Sequence, residues 1–398
     1  MTSLRCGAFS LFRPRFSASK SLPSFYSAGQ LSWPPRTDIV PDMFANNTAF
    51  TIGPELIDAT DAVEMQTLKV SIDYTTGSVQ EMDYGDYNYT ESSEHFRSLK
   101  DHLTGLLDAQ EQLRKLIQKQ SSESTGVPPA FMEIFHTDAS LHPLQLSFQT
   151  AFARLWRDTY GQSPHREVNS VLKQLTERWL GVGRDLFVLY SLGSLTYVNK
   201  ALASPEKRWT DAAAAHRIAT LFRVFFRSDL THLDSLVPSS LDDYDDVYRI
   251  ATASRRLIDL AYQKGMRVSW PTFASTTLSE SLGKNFTGGL AEKIATVNFD
   301  VRPGRHGGGF KFSMPWGLAY MNVFFRISLE PCRQQQRVHV YAPRLLSRIS
   351  FYTHEEEILL PPLYPLRVVN LKTEKGGRSG PQFHISLATD CTAAPRSE

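Results

Sequence analysis

Three consecutive acids, Glu355, Glu356 and Glu357, stand directly against the apolar, proline-stopped run Ile358-Leu359-Leu360-Pro361-Pro362. Read as an extended strand, this segment sorts the acids by face. Side chains alternate across a pleated strand, so Glu355 and Glu357 share one surface and Glu356 takes the other. Two carboxylates on one face, close enough to repel, hold different proton affinities and can divide a base from a charge-stabilising group. A second reading needs no chemistry: charges at the end of an apolar strand act as gatekeepers against aggregation.

Two upstream blocks bear on the choice. Val247-Tyr248-Arg249 follows the acidic stretch Asp242-Asp243-Tyr244-Asp245-Asp246, and further on comes Phe273-Ala274-Ser275-Thr276-Thr277-Leu278-Ser279-Glu280. The order is Arg, then Ser-Thr-Thr, then Glu-x-Glu. With the strand, loop, Leu-Pro-Pro and closing strand of residues 338–369 behind it, the chain resembles the R-S-E class of mono-ADP-ribosyltransferases over residues 235–390. That class includes the vertebrate ecto-enzymes and the arginine-modifying bacterial toxins.

The resemblance implies a mixed α/β domain with a split β-sheet around an NAD cleft. It also implies transfer of ADP-ribose from NAD to an arginine of an acceptor protein, with release of nicotinamide. NAD would be a consumed co-substrate. Glu357 would hydrogen-bond the ribose 2′-hydroxyl and stabilise the oxocarbenium-like sugar, as glycosidase carboxylates do. Glu355 would orient and deprotonate the acceptor guanidinium, which is otherwise protonated and a poor nucleophile. Arg249 would hold the NAD phosphates, which suit its planar fork. Its bland alternative is a surface arginine paired with Asp245 or Asp246.

By the same resemblance Ser275 would fix the Glu357 rotamer and Thr276 would stiffen the strand lining the cleft. Thr277 stands in place of the more usual serine and keeps its hydroxyl. Phe286 would lie near the nicotinamide, or serve as core. Residues 347–353 would form the acceptor loop, with Phe351 and Tyr352 as its contact residues. Relatives commonly carry glycine after the arginine, whereas this chain has Ile250, which narrows the approach of the backbone to the nicotinamide amide. Two rival functions stay open: an NAD glycohydrolase using the same site, and a catalytically silent nucleotide- or protein-binding module.

Composition limits the alternatives. A net charge of +2 over 398 residues gives no general nucleic-acid-binding or membrane-coating surface. No apolar run reaches the roughly 18 residues of a transmembrane helix. Cys6, Cys332 and Cys391 are far apart and lack metal-ligand spacing, and the histidines show no H-E-x-x-H pattern, so no metal is expected. Gly181-Val182-Gly183 is not a dinucleotide fingerprint, and Arg305-His306-Gly307-Gly308-Gly309 lacks the Lys-Ser/Thr of a phosphate loop. The latter reads as a mobile insertion near the cleft. Hydride transfer is disfavoured, while the acceptor's identity and the oligomeric state are not written in the sequence.

The elements that must position these residues suggest an α+β chain. Residues 1–37 hold no Asp or Glu but carry Arg5, Arg13, Arg15, Lys20 and Arg36 among many serines, the make-up of a mitochondrial presequence or else of a disordered tail on a cytoplasmic protein. Residues 38–230 read as mostly helical, after a lead-in with a strand-like Leu68-Lys69-Val70-Ser71-Ile72. Helices are expected at 94–119, 143–159, 166–180, 184–203 and 210–226, with Tyr190 in a stretch that reads as buried core. Residues 231–390 form the candidate catalytic domain, and 391–398 a disordered tail. Its strands are expected at 247–251, 272–277, 293–301, 321–329, 338–341, 357–360, 364–371 and 383–387. A helix over 254–265 ends at Gly265.

Overall fold

The computed structural model describes residues 52–75, 79–121, 126–136, 143–203, 212–239, 245–285, 320–329, 341–374 and 383–390. Helix α1 (Pro54–Thr75) buries Leu56, Ala59, Thr60 and Val63, a spacing of three and four that marks one helical face. The strand-like residues 68–72 belong to this helix. Once a buried face nucleates a helix, propagation carries β-branched residues whose intrinsic preference is for strands. Helix α2 (Val79–Gln120) starts well before the expected 94 and buries Leu99, Leu103, Leu106, Leu113 and Ile117, whereas Leu107 is only partly covered.

After α3 (Pro129–His136) and α4 (Phe148–Tyr160) comes α5 (Arg166–Ser191), a single helix where two were expected. Gly181 and Gly183 do not interrupt it. A Cβ at Gly181 would sit 2.4 Å from the His102 ring of α2, and one at Gly183 would sit 2.8 Å from the Phe225 ring. The glycines lower helix propensity by about 1 kcal/mol each relative to alanine. In return they admit the rings that pack α5 into the core. Short α6 (Thr196–Ala203) and α7 (Ala212–Val224) complete this region.

The described strands form one eight-stranded sheet. Strand β1 (Asp246–Ser254) pairs antiparallel with β4 (Tyr320–Ser328) along its whole length, and with β3 (Ala274–Thr277) at the single pair Tyr248–Thr277. Next to β3 lies β6 (Glu357–Leu360), followed at the edge by β5 (Arg344–Leu345). On the other side β8 (Phe383–Thr389) runs parallel to β4 and antiparallel to β7 (Leu366–Thr373), which carries β2 (Arg267–Val268) at the far edge. Helices α8 (Arg255–Ala261) and α9 (Glu280–Asn285) lie between strands in sequence.

Several expectations shift. Helix α8 stops at Ala261, and Gly265, at φ +87°, instead turns the chain so that its N–H donates to the Val368 carbonyl at 2.8 Å. Tyr341 makes only an isolated bridge to Arg227. The expected strand 293–301, the remainder of 338–341, the glycine-rich 305–309, Phe286 and both termini lie outside the described residues.

Strand β6 is buried on both faces, which explains its unbroken apolar text. Leu359 joins Phe273 and Leu346 in a core shared with the helices, while Ile358 and Leu360 enter a second core with Val247, Tyr262, Trp270 and Phe325. Aromatic pairs tie helix to sheet in the first core: the Phe222 and Phe273 rings lie 4.5 Å apart and those of Tyr190 and Phe273 6.1 Å apart. Each such pair contributes about 0.5–1.5 kcal/mol beyond area burial.

At the β5 edge a fully buried Arg344 fastens the same two regions. Its guanidinium donates to the carbonyls of Phe225 (3.1 Å), Arg227 (2.6 Å) and Val237 (3.2 Å) and to Asp234 Oδ1 (2.5 Å). The fork gathers backbone acceptors from the chain that follows α7.

Candidate active site

Arg249, Ser275 and Glu357 fall on three neighbouring strands, β1, β3 and β6. The register brings Tyr248, Thr277 and Glu357 into one row. Strands β1 and β3 meet at that one pair, and an open cleft lies beside it. Tyr248, Arg249, Ile250, Ser275, Thr276, Thr277, Gly283, Glu355 and Glu357 line the cleft.

Glu357, only 5% exposed, is the buried charge of the cleft. Burial pushes its carboxyl up to about 7; nearby Glu355 adds to the rise, while a hydrogen bond with the Ser275 hydroxyl and the Arg249 guanidinium pull the other way. Ser275 of β3 and Glu357 of β6 lie on neighbouring strands and line the same cleft. Arg249 donates to the Ser275 carbonyl at 2.6 Å and lies 5.5 Å over the Trp270 ring, so its guanidinium plane is fixed at the cleft wall. Burial lowers its pKa, against the opposing pull of Tyr190, Tyr262 and Glu357, yet an arginine stays protonated at neutral pH. Asp246, one acid offered as its surface partner, instead binds Arg326, whose Nε donates at 2.9 Å.

Glu355 corrects the argument from strand alternation. It ends a 3-10 turn, Thr353–Glu355, and Glu356 then adopts a left-handed conformation at φ 47°, ψ 46° before β6 begins at Glu357. Alternation needs extended backbone through 355 and 356, which a left-handed residue forbids. The two acids reach one cleft nonetheless, from different elements. Thr277 Oγ1 donates to the Glu355 carbonyl at 2.8 Å and the Leu278 N–H to that of Glu356 at 3.3 Å, which holds the unusual turn in place. Burial also raises the Glu355 carboxyl, with His354 opposing. Glu356 itself is exposed.

The other hydroxyls act on backbone. Thr276 Oγ1 donates to the Ile358 carbonyl at 2.7 Å, bracing β3 against β6. Gly283 went unremarked in the sequence, although a glycine inside a short helix is a signal of close approach. A Cβ there would lie 3.1 Å from both the Phe324 ring and Tyr248 Cβ, so its absence lets α9 pack onto the cleft wall. Of the expected acceptor-loop residues, Phe351 is 37% exposed and Tyr352 half-buried, with their rings 5.2 Å apart at 84°. Tyr190 is more than core: its charged neighbours are Glu357 and Arg249, and its hydroxyl donates to the Phe273 carbonyl at 3.3 Å.

Among the described residues no group of three or more His, Cys, Asp or Glu side chains could hold a metal ion, and no helix is long and apolar enough to cross a membrane. The cleft thus offers a buried carboxylate, a second half-buried acid, hydroxyls and a fixed guanidinium. Such a set can stabilise a transient cation and accept a proton beside it.

Comparison with protein-family models and with curated sequences returned no match. Among solved structures the chain is similar to Vis toxin, an ADP-ribosyltransferase from Vibrio splendidus, at 14% identity and a TM-score of 0.34 over 59% of this chain and 92% of that one. It is also similar to exoenzyme S from Pseudomonas aeruginosa in a complex with human 14-3-3 protein beta and carba-NAD. There the identity is 12% and the TM-score 0.31, over 66% of this chain and 92% of that one. The toxin Plx2a, an ADP-ribosyltransferase from Paenibacillus larvae, matches at 12% identity and a TM-score of 0.28, over 61% and 93%. Likeness at this level specifies no activity, and the chemistry of the cleft has to come from its own residues.

Proposed function

We propose that the chain is an NAD-dependent mono-ADP-ribosyltransferase that modifies arginine on an acceptor protein. The observation that carries this reading is the convergence of Glu357, Ser275, Arg249 and Glu355 on one cleft, with Glu357 the most buried of the acids. In the reaction, the bond between ribose C1′ and the nicotinamide ring nitrogen breaks and its electron pair neutralises the ring. Ionised Glu357 faces the cation left on the sugar and accepts a hydrogen bond from the 2′-hydroxyl. Arg249 offers a planar, oriented donor to the phosphates. A guanidinium entering past Phe351 passes a proton to Glu355, and its nitrogen closes the new bond to C1′.

A raised carboxyl at Glu357 fits this chemistry. Its affinity for a proton is also affinity for positive charge, and burial removes the water that would otherwise screen the developing cation. The acid-free, basic residues 1–37 support a mitochondrial address as part of the proposal, and deletion of those residues should then redistribute the protein.

The test is nicotinamide release from NAD by the full chain, with and without agmatine as a small guanidine, beside Glu357→Ala. Release should rise with agmatine and fall at least about 10²- to 10³-fold in the variant, the usual effect of removing one preorganised electrostatic group. Release indifferent to agmatine would favour an NAD glycohydrolase. Equal, near-zero release by both proteins would leave a binding module.

A further inference from the structure

The acid proposed to activate the acceptor ends a loop whose neck closes on the sheet, where the Leu346 N–H donates to the Glu357 carbonyl at 2.8 Å. The outer part of that loop is held from the helices. Ser191, the last residue of α5, accepts the Phe351 N–H at 2.8 Å and hydrogen-bonds the Ser350 hydroxyl at 2.9 Å. Ser350 Oγ in turn accepts the Tyr352 N–H at 3.1 Å, and the Glu355 N–H closes the next turn on the Tyr352 carbonyl at 3.0 Å. These bonds form a chain from α5 to Glu355.

One residue earlier, the same helical turn holds the lead-in to β3. Tyr190 donates to the Phe273 carbonyl, and Asn199 of α6 takes the Phe273 N–H at 3.1 Å and donates to its carbonyl at 3.2 Å. Phe273 leads into β3, whose Ser275 lines the same cleft as Glu357. The end of α5 therefore holds both the loop that carries Glu355 and the lead-in to β3.

We infer that Ser191 is a positioning residue that keeps Glu355 facing the cleft and so sets the partition between transfer to a guanidine and hydrolysis by water. This rests on the reading of the cleft as an NAD-cleaving site. The nicotinamide bond breaks identically in both outcomes. With the loop held, a guanidinium proton passes to Glu355 and the C–N bond forms. With the loop displaced, water supplies the oxygen to C1′ and releases its proton to solvent. A misplacement of order 1 Å in a positioned group can cost about 10²-fold in rate, so loss of one hydroxyl is enough to shift the partition.

The experiment compares full-length Ser191→Ala and Ser191→Thr with the parent in NAD alone and in NAD with agmatine, together with amide hydrogen exchange over residues 351–355. In Ser191→Ala, transfer to agmatine should fall about tenfold while release in water stays within about threefold. Its loop amides should exchange at least about fivefold faster, the sign of a segment that opens more often. Ser191→Thr, which keeps the hydroxyl, should match the parent in both. An equal fall in transfer and hydrolysis, or an unaltered partition with unaltered exchange, would overturn the inference. Absence of nicotinamide release by the parent would instead sink the reading of the cleft, and the exchange data alone would then decide whether Ser191 holds the loop.

Discussion

Glu357 and Glu355 stand two residues apart in sequence, yet the regions that carry them are built differently. Glu357 opens a strand buried on both faces and paired on both sides, so its position is set by sheet register. Glu355 sits on a turn whose shape depends on a left-handed neighbour, on Thr277 and Leu278, and on the Ser191 hydroxyl at the end of a helix. The strand side can hold charge rigidly, as stabilisation of a short-lived cation requires. The loop side can yield by small displacements, as admission of a protein side chain requires.

The sharpest way to break that contrast is Glu355→Gln. If the loop acid serves the acceptor alone, transfer to agmatine should fall by about 10²- to 10⁴-fold, the range for loss of a general base, while hydrolysis of NAD survives. Equal loss of both activities would mean that the two acids act as one unit. Measured by nicotinamide release against agmatine modification, this is the largest separation expected.

The next effect lies at the root of the loop. Arg344→Ala leaves the carbonyls of Phe225, Arg227 and Val237 and the Asp234 carboxylate without their buried partner. The expected loss is about 3–5 kcal/mol by denaturant unfolding. A loss under about 1 kcal/mol, typical of an exposed ion pair, would show that β5 and the helices are not fastened through this side chain.

Proton linkage gives the third, smaller effect and concerns the strand side. The folded pKa of Glu357, about 7, exceeds its ordinary value of 4.5, so the folded state binds the extra proton between those pH values. Stability contributed by the protonated group is therefore complete below 4.5 and is lost as pH rises through 7. At one pKa unit per 1.36 kcal/mol, that loss is at most about 3 kcal/mol. Glu357→Gln should gain stability over the parent progressively across this window, with the gain level above pH 7, as thermal or urea unfolding would record. Activity runs opposite: kcat/KM for NAD should rise with pH through about 7 as the carboxylate forms. A parent and variant with parallel stability profiles would remove the buried charge from the argument.

Legibility in the sequence followed the range of the interactions. The limits of β6 match the expected 357–360, because a strand buried on both sides shows as an apolar run between punctuating residues. Strands carrying Arg249 and Ser275 were readable instead from their β-branched and aromatic residues. The continuity of α5 was not. Gly181 and Gly183 look like a break in one dimension, and only the rings of His102 and Phe225 above them explain why glycine stands inside a helix. Residues 68–72 likewise favour a strand by composition, yet they continue a helix whose face is already buried.

By itself, then, the sequence determined which residue types could do chemistry, their order, and the elements whose periodicity is local. Only the tertiary structure decided how Glu355 reaches the cleft and what holds it there. Strand alternation is a property of consecutive residues, whereas the turn at 353–356 is shaped by contacts with residues about 80 positions away in β3 and about 160 positions away at the end of α5. No local pattern encodes a hydroxyl at Ser191 meeting an amide at Phe351, because that contact exists only once helix and sheet have packed around a common core.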